Sequence, residues 1–102
     1  MAQIEEKVVC RTPTEGRSGT TSIPKWKYDC VRLAALEVIK SAGSEGLPFS
    51  KLPEAVRAKL SEDQLSKLGS LGWHVTTVKL NMEVEGEIKR LSGSPQRLVA
   101  SI

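Results

Sequence analysis

The 102 residues carry a net charge of +3, with 39% hydrophobic and 26% charged side chains. That length allows one domain, because either half alone would sit near the size at which a single core is marginal. The longest apolar run, Leu33-Ala34-Ala35-Leu36, is far short of the roughly 20 residues a spanning helix needs, so no membrane span is expected. The start, MAQIEEKVVC, has acidic side chains and no apolar stretch of the kind a secretory signal needs, which makes the cytoplasm the expected compartment. Only Trp26, Tyr28, Phe49 and Trp73 are aromatic, so Leu, Val, Ile and Ala must build most of the core. Cys10 and Cys30 match no metal or redox spacing and read as two free thiols. Charge is spread thinly, with +1 over residues 1–30, +2 over 31–60, −1 over 61–90 and +1 over 91–102, and no basic tail.

Residues 1–24 read as a partly extended N-terminal arm, and 25–102 as the folded domain. Within the arm, Lys7 to Cys10 suits a short strand, whereas Thr12 to Ser22 is rich in Gly, Ser, Thr and Pro and reads as a loop. A first helix is expected from near Pro24, with Ser22 as its cap. Its apolar face is Tyr28, Val31, Ala35, Val38, Ile39 and Ala42, and Gly43 is its stop. Leu47-Pro48-Phe49 is a short extended piece, since the residue before a proline is pushed out of helical geometry. Ser50 reads as the N-cap of a second helix reaching about Leu60, with Leu52, Ala55, Val56 and Leu60 on its buried stripe. Ser61 and Gln64 have capping-box spacing, which predicts one extra helical turn carrying Leu65 and Leu68. A third long helix is predicted from Leu71 to Glu85, closed by Gly86. Ile88 to Leu91 and Gln96 to Val99 then form two strands joined through Ser92-Gly93-Ser94-Pro95.

This element order is that of a winged helix-turn-helix domain. The expected fold class is therefore α+β, with three main helices, a C-terminal two-stranded β-hairpin and an N-terminal arm. The stretch Val75 to Arg90 resembles the recognition helix and first wing strand of winged-helix regulators. Met82-Glu83 matches the apolar-acidic pair near the helix end, Gly86 the turn, and Ile88 and Arg90 the strand start. Over most of the chain, Lys27-Tyr28-Asp29, Gly72-Trp73 and Ser94-Pro95-Gln96-Arg97-Leu98 together resemble an uncharacterised family of small bacterial proteins, a domain of unknown function. That resemblance implies the fold and no catalytic residue.

In a winged helix, the outward side chains of the third helix touch base edges. At about 100° per residue, Leu71, Val75, Val78 and Met82 make the core face. The opposite side holds Trp73, Thr76, Thr77, Leu80, Asn81, Val84 and partly Lys79. Thr77, Lys79 and Asn81 on this helix, with Lys89, Arg90 and Arg97 on the wing, are the candidate contacts to double-stranded DNA. Two features oppose that role. Residues 71–90 have no net basic charge among Lys79, Lys89, Arg90, Glu83, Glu85 and Glu87. Trp73, Leu80 and Val84 form a second apolar stripe, and burying each would be worth roughly 1.5–3 kcal/mol. That stripe reads first as further core, covered by the arm with Val8, Val9 and Ile23, by Trp26 or by a second subunit; the functional alternative to DNA binding is a protein-interaction or homodimerisation module contacting through Trp73, Leu80 and Val84. No catalytic role, cofactor or metal is expected. His74 is isolated and expected on the surface, Gly16 to Thr21 lacks the ending of a phosphate loop, and Glu83, Glu85 and Glu87 read as a solvated face.

Overall fold

The computed structural model describes residues 6–11, 20–93 and 95–101. Most of the expected loop, residues 12–19, and Ser94 in the hairpin connection lie outside the described residues. The chain opens on a hairpin of β1 (Lys7–Arg11) and β2 (Thr20–Pro24), with Val8 opposite Ile23 and Cys10 opposite Thr21. Burial alternates along β1: Cys10 is buried and Val8 half-buried, while Lys7, Val9 and Arg11 are exposed. Thr20, Thr21 and Ser22 are therefore strand residues and not loop. β1 supplies their hydrogen-bond ladder, and Ile23, 1% exposed, anchors their inner face in the core.

Helix α1 (Lys25–Ser41) follows directly. Ser22 does not cap it, because Ser22 is engaged in β2 opposite Val9. Pro24 holds the cap position, and the Lys25 amide donates to the Glu6 carbonyl at 2.7 Å, so the hairpin itself closes the helix start. Tyr28, Val31, Ala35 and Ile39 are buried on the expected face. The helix ends at Ala42, and Gly43 takes a left-handed turn at φ 65°.

The extended piece becomes β3 (Leu47–Pro48), which pairs with the last strand. Ser50 lies in a 3₁₀ turn and not at a helix cap, since the Phe49 amide is held by the Gln96 carbonyl at 2.9 Å. Helix α2 (Leu52–Arg57) is correspondingly shorter than expected. Ser61 and Gln64 make the predicted capping box, and the helix they open, α3 (Glu62–Leu68), spans seven residues. The described residues thus hold four α-helices where three main ones were expected. Ser70 Oγ accepts the Trp73 amide at 3.3 Å and starts α4 (Leu71–Val84). Strands β4 (Ile88–Leu91) and β5 (Arg97–Ala100) pair antiparallel, and β3 joins them in the order β3-β5-β4.

The described residues are therefore α+β, with four α-helices and two small sheets around one core. Cys10 and Ile23 of the hairpin belong to the same apolar cluster as Val31, Leu52, Val78 and Leu98. Both cysteines are free thiols. No helix among the described residues is long and apolar enough to cross a membrane.

Because the hairpin is part of the core, Ile23→Ala should cost about 2–4 kcal/mol in urea unfolding, while Val9→Ala should cost under about 0.5 kcal/mol. Equal, small losses would show that the hairpin lies outside the folding unit. Burial raises the Cys10 thiol from 9.0 to about 11. The unfolded thiol then loses its proton first, so this contribution is complete below pH 9 and is lost as pH rises through 11. It amounts to roughly 2–3 kcal/mol. Burial of the Tyr28 hydroxyl acts in the same direction. The expected result is a steeper alkaline loss of stability in the natural protein than in Cys10→Ala.

Candidate functional site

Helix α4 lies at the centre of the fold, and its four sides have different chemistry. Val75, Val78 and Met82 enter the core at 1% exposure or less. Asn81 faces the hairpin side. Its Oδ1 accepts the Arg11 backbone amide at 2.9 Å, and its Nδ2 donates to the Tyr28 hydroxyl at 2.8 Å. One side chain thereby joins β1, α1 and α4.

Lys79 serves the other flank, towards the three-stranded sheet. Its Nζ reaches Gln96 Oε1 at 2.7 Å and Glu83 Oε2 at 3.0 Å, and sits 4.5 Å from the centre of the Phe49 ring. Burial lowers the pKa of the ammonium, and the hydrogen bond and charge of Glu83 oppose that shift. Glu83 also accepts from Arg90 Nε at 2.5 Å, tying the helix to β4. No described side chain with a buried nitrogen or oxygen lacks a partner.

Of the acidic residues 83, 85 and 87, Glu85 is exposed as a solvated face requires, whereas Glu83 and Glu87 are half-buried. Each binds a different element: Glu83 holds Lys79 and Arg90, Glu85 holds Arg11 at 2.7 Å, and Glu87 grips Arg32 of α1 through both carboxylate oxygens. The Glu87 hydrogen bond raises the Arg32 pKa further. His74 is buried at 8% exposure, which corrects its expected surface position. Its Nδ1–H donates to the Ser70 carbonyl at 2.6 Å, and its ring meets Trp73 edge-on at 4.8 Å. Among the described residues, no three His, Cys, Asp or Glu side chains are grouped to hold a metal.

The six candidate DNA contacts do not form one surface. Lys79 and Asn81, expected to point outward, are buried at 2% and 3% exposure, and their polar atoms are held within the protein. Packing of the hairpin on one flank and of the sheet on the other explains the difference. Thr77 is half-buried. Arg90 pairs with Leu98 in register and reaches α4, so Lys89 and Arg97, in register with Val99 and Leu91, lie on the opposite sheet face. Both are exposed, and no carboxylate pairs with either among the described residues.

What remains outward on α4 is Trp73, 48% exposed, with exposed Gly72 and Thr76 and half-buried Thr77, Leu80 and Val84. The face has no charged side chain. The hairpin packs beside it at Asn81 and leaves Trp73 open. Periodicity shows this apolar stripe in the sequence. The inward turn of Asn81 has no local signal, because its partners Tyr28 and Arg11 are 53 and 70 positions away; for Lys79 the only local one is Glu83 at i+4, a spacing that an exposed pair would share, while Gln96 is 17 positions away.

The fold and this face define a small α+β protein organised around one central helix, with a neutral, apolar surface on that helix. The chain belongs to a family of unknown function, DUF6958, whose model matches residues 7–98. No curated protein and no solved structure matches it.

The buried pair gives a stability prediction. Glu83→Ala leaves the Lys79 charge without its carboxylate and should cost about 3 kcal/mol in chemical denaturation. The double variant Lys79→Met/Glu83→Leu should lose less than Glu83→Ala alone. A Lys79→Met/Glu83→Leu loss equal to the sum of the Lys79→Met and Glu83→Leu losses would show that the pair is not coupled.

Proposed function

We propose that this protein is a winged-helix-like interaction module that docks a protein on the outer face of α4, neither reading nucleic acid nor catalysing a reaction. The sheet order β3-β5-β4, with α4 leading into the β4–β5 hairpin, supports the winged-helix comparison; α3 is an addition to the expected pattern. One observation carries the functional reading. On the helix that would enter a DNA groove, Lys79 and Asn81 are buried at 2% and 3% exposure, whereas Trp73 stands 48% exposed. An outward face built from Trp73, Leu80 and Val84 gains by excluding water, and offers phosphate oxygens no cation. Nucleic-acid binding, the other reading, is favoured by the exposed Lys89 and Arg97. Two such cations would release few counterions and support weak, salt-sensitive association only.

The first partner to test is a second copy of the chain. Sedimentation across a concentration series should show association that Trp73→Ala and Leu80→Asp abolish, with helical content unchanged. In parallel, a labelled random duplex titrated at about 50 mM salt should give no anisotropy change at micromolar protein. Duplex binding that weakens steeply towards about 200 mM salt and depends on Lys89 and Arg97 would overturn the interaction reading in favour of DNA.

A further inference from the structure

The β4–β5 sheet has a second face, turned away from Arg90 and α4. There the C-terminal end of α1 and the turn after it enclose a groove of about 520 Å³. Its floor is apolar: Leu91 and Ala100 are half-buried, Val99 is 8% exposed, and Ile39 is fully buried behind them. Its rim is Lys40, Gly43 and Ser44, all exposed. Gly43 shapes the rim, since its φ of 65° suits glycine and a Cβ there would meet nothing within 4 Å. The volume falls within the roughly 300–1,000 Å³ typical of small-molecule sites.

Cations outnumber carboxylates around the groove. Lys40 lines it, and register places Lys89 and Arg97 on the same sheet face as Val99 and Leu91. None of these three cations forms an ion pair among the described residues. The carboxylates of the adjoining segments are Glu45, exposed on the turn, Glu37, paired with Lys59, and Glu87, which Arg32 already holds. The C-terminal end of α1 adds about half a negative charge, far less than three cations supply. It also disfavours a dianion more than a monoanion.

We propose that this groove binds a free monocarboxylate with a medium-length hydrocarbon chain, its chain on Leu91, Val99 and Ala100 and its carboxylate at Lys40. This site is separate from the α4 face. Lys89 and Arg97 contribute attraction over a longer range, and Lys40 makes the direct contact.

The test uses octanoate as the probe, with octanol and octyltrimethylammonium as charge controls, followed by backbone amide NMR of the full chain. Octanoate should shift the amides of Lys40, Ser44, Leu91 and Val99 and bind at least tenfold tighter than either control. Lys40→Glu, a change at an exposed side chain, should weaken octanoate at least tenfold and leave octanol unaffected. Ser44→Trp should fill the groove and remove binding of both; if that variant fails to fold, Lys40→Glu decides alone. Equal binding of octanoate and octanol, shifts centred on Trp73, full affinity in Lys40→Glu, or no shift at millimolar octanoate would each overturn the proposal.

Discussion

The side-chain amide of Asn81 is the contact on which the arrangement of this protein depends. A two-stranded hairpin is marginal by itself, and β1–β2 is held in place by its inner side chains and by this amide. Asn81 accepts from Arg11 and donates to Tyr28, both within 3 Å, in a site 3% exposed. Moving any of the three elements would strand a buried polar group, at a cost of about 1–3 kcal/mol. The hairpin, α1 and α4 therefore fix one another, and Cys10 and Ile23 complete the core as a consequence.

The opposite flank of α4 works by a different rule. Lys79 and Glu83 form a buried ion pair, and such a pair often stabilises no more than apolar residues of the same size. Its geometry is nonetheless specific. Lys79 is satisfied only with Gln96, Glu83 and Phe49 all in place, which sets how the sheet docks on the helix. Glu85 and Glu87 hold the hairpin and α1 from the helix end and the link to β4. With the Lys79 ammonium and Asn81 amide committed inward, the outward face of α4 is Gly72, Trp73, Thr76, Thr77, Leu80 and Val84.

Much of the local structure was legible in the sequence. Apolar spacing located α1 and α4, the Ser61–Gln64 box located α3, and Gly43 and Gly86 located helix ends. These features depend on residues within a turn or two of one another. The second strand of the hairpin was not legible, because Thr20-Thr21-Ser22 has loop composition until β1 lies beside it. Ser22 and Ser50 illustrate the same limit: each suits a cap, and each was claimed by another structure, β2 for Ser22 and the turn pinned by Gln96 for Ser50.

By itself, then, the sequence determined the helices, the C-terminal hairpin and the apolar stripe on α4, since hydrophobic periodicity and capping are short-range. Only the tertiary structure decided which polar residues face water. Lys79 and Asn81 have the same types and helical spacing whether they read a ligand or seal an interior. Glu83 is local to Lys79, but the choice also needed Gln96, Tyr28 and Arg11, between 17 and 70 positions distant. Burying a charge or an amide is tolerable only where the fold supplies such partners.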